Sequence, residues 1–89
     1  MDDAVLAALI GVLEQLWRSE RERPGKACSL AWLSKQSERP MSVLRRQLTL
    51  LVDAGWVAQT LLEEGGGTVA LSDDGRQLCA SLFRKPAGA

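Results

Sequence analysis

RPMSVLRRQLTLLVDAGWV, residues 39–57, decides how the rest of the chain is arranged. Leu44, Leu48 and Leu51 recur at i, i+4 and i+7, which puts three large apolar side chains on one stripe of a helix. At about 100° per residue, Ser42, Arg46 and Thr49 fall on the opposite side, with Arg45 and Leu50 on its two flanks. Pro40 suits the first position of this helix, and Gly55 suits the left-handed residue just past its end, so the spacing predicts a helix over residues 40–54. A helix with one buried leucine stripe and a mixed, basic outer face has the form needed to meet a nucleic acid groove.

The preceding residues read as a second helix over residues 29–37. Ser29 is its N-cap, Leu30, Trp32 and Leu33 are its apolar positions, and Pro40 disfavours helical geometry at Arg39. Two helices separated by so few residues form a helix-turn-helix unit. Upstream, Leu6, Leu9, Ile10, Leu13 and Trp17 share one arc of a helix over residues 2–19, whose start is favoured by Asp2 and Asp3. Val5, Val12 and Leu16 widen its apolar face beyond what one side of a surface helix needs. The cover is either the last helix of the same chain or the equivalent helix of a second copy. A dimer interface is therefore expected at Val5, Leu9, Val12 and Leu16. Residues 18–26 are dense in charge and end in Pro24 and Gly25, reading as the first connection, and a short extended piece follows at Ala27 and Cys28.

Downstream, residues 56–71 read as a β-hairpin interrupted by Glu63, Glu64 and the glycines 65–67. Ser72, Asp73 and Asp74 then open a last helix over residues 72–84 that carries Leu78, Cys79, Leu82 and Phe83. The whole is one small, mostly α, α+β domain over residues 1–89.

Net charge is zero, but its distribution is uneven. Residues 26–50 hold five basic residues and one acid, while the remainder holds six basic residues and ten acids. One face is thus suited to a polyanion. There is no histidine, and the two cysteines are neither close in sequence nor in a metal-ligand spacing, so catalysis, a metal and a cofactor are not expected. Cys28 and Cys79 each lie in an apolar segment and read as small buried hydrophobes in a reducing cytoplasm. No apolar run is long enough for a membrane span, and the acidic start does not fit a secretory signal.

VLRRQLTLLVDAGWV, residues 43–57, closely resembles the recognition helix of winged helix-turn-helix regulators of the MarR and ArsR type. VALSDDGRQL, residues 69–78, resembles the end of the wing and the start of the following helix in those families. The resemblance implies a cytoplasmic transcriptional regulator that binds double-stranded DNA, with a winged helix-turn-helix fold of three-helix core, two-stranded wing and C-terminal helix. It places Ser42, Arg45, Arg46 and Thr49 toward the major groove and Lys35 and Arg39 near phosphates, in a homodimer joined through the first and last helices. One feature departs from that pattern: the wing tip carries Glu63 and Glu64 where a contacting wing presents Arg or Lys. The alternative is a winged helix that serves as a protein-binding module.

Overall fold

A first helix, α1 (Asp3–Glu22), runs through the middle of the molecule, and the other elements are laid around it. In chain order these are β1 (Cys28–Ser29), α2 (Leu30–Ser37), α3 (Met41–Asp53), β2 (Val57–Leu61), β3 (Gly67–Leu71) and α4 (Asp73–Phe83). The structure is a computed structural model and describes residues 3–62 and 66–83. Asp2, Arg84 and the wing residues Glu63, Glu64 and Gly65, all used in the sequence reading, lie outside the described residues.

The broad apolar face of α1 is explained by its central place. It packs against α2, α3, α4 and β3. Leu9, Val12 and Leu16 are no more than 2% exposed, so they are core residues of this chain and not a surface for a second copy. Of the four residues expected at a dimer interface, only Val5 reaches solvent, at the edge of a groove between α1 and α3. The helix also runs one turn beyond residue 19. Its charged residues up to Glu22 are mostly solvated, Ser19 points inward, and only Pro24 stops the helix, after Arg23 N–H has bonded to the Ser19 carbonyl at 2.8 Å.

The sheet has three antiparallel strands in the order β1-β3-β2, one more than the hairpin expected. β1 is two residues long, with Cys28 opposite Val69 and Ser29 opposite Thr68. Ser29 is both a strand residue and the N-cap of α2, its hydroxyl accepting from Trp32 N–H at 3.1 Å. Gly55 (φ +82°) ends α3 in the left-handed conformation. Ser72 then links the two ends of the wing: its hydroxyl donates to the Gly55 carbonyl at 2.6 Å and accepts from Gly75 N–H at 3.0 Å, capping α4. The architecture is a mostly helical α+β winged helix-turn-helix. Trp17, Trp32 and Trp56 pack half-buried against its core, as apolar fillers.

Candidate nucleic-acid interface

The surface in question is set by how tightly the turn between α2 and α3 is closed. Arg39 N–H donates to the Ser34 carbonyl at 3.1 Å, and the Ser34 hydroxyl donates back to the Arg39 carbonyl, while Glu38 takes a left-handed conformation (φ 55°). These reciprocal bonds hold α3 against α2, and Leu44, Leu48 and Leu51, each fully buried, anchor α3 to the core.

With that stripe inward, Ser42, Arg45, Arg46 and Thr49 are all exposed on α3, and Lys35 is exposed in the last turn of α2. Arg39 is not part of this group. The closed turn sends its side chain back over α1, where Gly11 leaves room and the guanidinium donates to the Ala8 carbonyl at 3.3 Å. It is half-buried, and its charge helps hold the turn to α1. Thr49 is on the expected face, but its hydroxyl donates to the Arg45 carbonyl at 2.9 Å, so it offers lone pairs to a ligand and not its proton.

Two further features of α3 were not apparent from side-chain spacing. Pro40 stands at its N-cap and provides no side-chain hydrogen bond, and the first turn holds no acid. The first N–H groups of α3 therefore remain available at the positive end of the helix dipole, which favours an anion. At the other end Asp53 lies on the same outer face as Ser42 and Arg46. The outer face thus runs from positive, over its first two turns, to negative at the C-terminus. α4 is built the opposite way, with Ser72 as its cap and Asp73 and Asp74 in its first turn.

Beside this face, a groove of about 300 Å³ separates the start of α1 from α3 and is lined by Ala4, Val5, Ala8, Val43, Arg46, Gln47 and Leu50. Its walls are mostly apolar, and the Gln47 Oε1 is buried without a hydrogen-bond partner among the described residues. Among the described residues the shifted ionisations lie on α4. The Arg76 guanidinium, 2.8 Å from Glu20 and 2.9 Å from Asp73, is held further above its usual range, chiefly by its hydrogen bond to Glu20. Burial pushes the Cys79 thiol up to about 11. Both cysteines are free and buried, Cys28 donating to the Ser19 hydroxyl at 2.9 Å and Cys79 to the Leu13 carbonyl at 3.8 Å. Among the described residues no three His, Cys, Asp or Glu side chains gather as a metal site, and no helix is long and apolar enough to cross a membrane.

No protein-family model and no curated protein matches the chain. Among solved structures it is similar to a "putative DNA-binding protein" from Ralstonia eutropha JMP134. The two share 36% identity with a TM-score of 0.80, over 86% of this chain and 95% of that one.

Proposed function

The chain belongs to the family of that Ralstonia eutropha protein, and on this premise we propose that it binds double-stranded DNA, with α3 as the element that enters the major groove. The observation that carries the reading is the outer face of α3: an uncapped, acid-free N-terminus followed by Ser42, Arg45 and Arg46, all exposed on a helix whose other side is locked into the core. The first-turn N–H groups and Ser42 suit phosphate oxygens. Arg45 and Arg46 carry planar donor pairs able to engage guanine O6 and N7, each good bidentate pair giving about 1 to 3 kcal/mol of discrimination. Lys35, on α2, adds a phosphate contact. Arg39 contributes indirectly, by fixing the turn that presents α3.

The finer reading follows the resemblance to MarR and ArsR regulators: a cytoplasmic transcriptional regulator acting as a homodimer on a pseudo-palindromic site, with its two α3 helices about 34 Å apart. The rival reading, a protein-binding winged helix, takes the apolar surface of α1 as its main partner site, but Leu9, Val12 and Leu16 on that surface are buried within this chain.

Fluorescence anisotropy of the full chain with random-sequence duplex DNA across a salt series tests the reading. Binding that weakens steeply as salt rises is expected, because phosphate neutralisation releases counterions. Absence of binding at low salt would refute it.

A further inference from the structure

In the order β1-β3-β2, β2 is an outer strand. Edge strands are commonly blunted by charge, proline, a bulge or very short length, since their free backbone groups otherwise pair with any strand they meet. β2, Val57-Ala58-Gln59-Thr60-Leu61, has none of these: it is uncharged, lacks proline, and stays in unbroken register with β3 from Val57 opposite Leu71 to Leu61 opposite Gly67. The phase of the ladder is fixed at both ends. Ser72 N–H donates to the Trp56 carbonyl at 3.0 Å and Leu62 N–H to the Gly66 carbonyl at 2.8 Å. Residues 56, 58, 60 and 62 therefore turn their backbone groups toward β3, and Val57, Gln59 and Leu61 turn theirs outward. Among the described residues, those outward groups meet no backbone partner. Side chains add a second signal: Leu61 is 68% exposed and Leu62 56% exposed, the two most exposed large apolar residues described.

We propose that β2 pairs antiparallel with β2 of a second copy of this chain, about a two-fold axis through Gln59. The outward groups decide the register. Val57 lies opposite the partner's Leu61, Gln59 opposite the partner's Gln59, and each pair exchanges both N–H···O bonds. Opposed residues share one face of a sheet. Val57, Gln59 and Leu61 lie on the face turned to the helices, where Val57 is buried and Leu61 extends past the covered part. Pairing sets each Leu61 beside the partner's Val57 and so covers the apolar side chain that the single chain leaves in water. The strand thus complements its own reversed image in hydrogen bonding and in apolar ends, which is why the occupant is a second copy. One strand pair buries less than the roughly 1,200 Å² of a standard stable interface, so the dimer is concentration-dependent. This dyad replaces the one expected on α1, and it is measured without DNA, independently of the nucleic-acid reading.

Sedimentation equilibrium of the full chain, from roughly 10 μM to 1 mM, tests the pairing. The wild type is expected to show a monomer–dimer equilibrium. Gln59→Lys and Gln59→Glu, each checked for folding by circular dichroism, should each raise the dimer dissociation constant by roughly fivefold or more, since like charges then face each other across the axis. An equimolar mixture of the two should re-form the dimer. Gln59→Pro, which removes only an outward N–H, gives a second disruption that leaves the β3 ladder intact. A wild type monomeric throughout, charge variants that dimerise as the wild type does, or a dimer lost in Val5→Glu but not in the Gln59 variants would each overturn the proposal.

Discussion

At Gly75 the first turn of α4 runs so close to the wing that a Cβ would stand 1.8 Å from the Trp56 carbonyl oxygen, a backbone atom that cannot swing aside. Gly75→Ala gains about 1 kcal/mol of helix propensity but loses more to the clash. A net destabilisation of about 2 kcal/mol is expected, read as a Tm lowered by roughly 8 to 16 °C in thermal unfolding. Cys79 gives a residue-scale prediction in pH. Its thiol sits at about 11 in the folded chain against an ordinary 9.0, so above pH 9 the unfolded chain loses a proton that the folded one keeps. That stability is fully present below about pH 9 and is lost as pH rises toward 11, a change on the order of 2 kcal/mol. Urea unfolding at pH 8 and pH 11 should show a smaller alkaline loss in Cys79→Ala than in the wild type. The burial of Cys79 was legible from its apolar neighbours. The need for glycine at position 75 was not, because it arises from a carbonyl 19 residues earlier in the chain. Arg39 is similar: its sequence position next to Pro40 gives no sign that Gly11 leaves room for its guanidinium on α1.

Among the elements, α3 was the most readable, since leucine spacing, Pro40 and Gly55 specify its stripe and both ends locally. Its anchor is testable. Leu48 is fully buried on the stripe, and Leu48→Ala should cost about 2 to 5 kcal/mol in denaturant unfolding through lost contact and a residual cavity. A cost under 1 kcal/mol would mean that α3 is not held as described. β1 was harder to read, because two residues carry no alternation and become a strand only by pairing with β3. α1 reads as amphipathic with two possible covers, the last helix of the same chain or a second copy, and α4 is among the elements that cover it. A wide apolar face looks the same in sequence whether its cover comes from the same chain or another, and here α2, α3, α4 and β3 supply it.

For the whole molecule, zero net charge conceals an arrangement with direction. Arg45 and Arg46 are exposed near the positive end of α3, Asp53 marks the negative end of that helix, and the Glu20–Arg76 pair joins α1 to α4. Charge totals could not show this, because they do not record which residues a fold brings to one side. What the spacing made legible is that Ser42, Arg45, Arg46 and Thr49 lie outside the buried leucine stripe of α3. The uncapped helix start and the diversion of Arg39 arise from the folded backbone and leave no mark in residue spacing. The central claim is that exposed Arg45 and Arg46 on α3 engage duplex DNA. It is tested most directly by comparing the salt dependence of duplex binding in the wild type and in the Arg45→Ala/Arg46→Ala variant, by fluorescence anisotropy with folding confirmed by circular dichroism. Weaker binding is expected, with a slope of log affinity against log salt that falls by up to about 2. An unchanged affinity and an unchanged slope would contradict it.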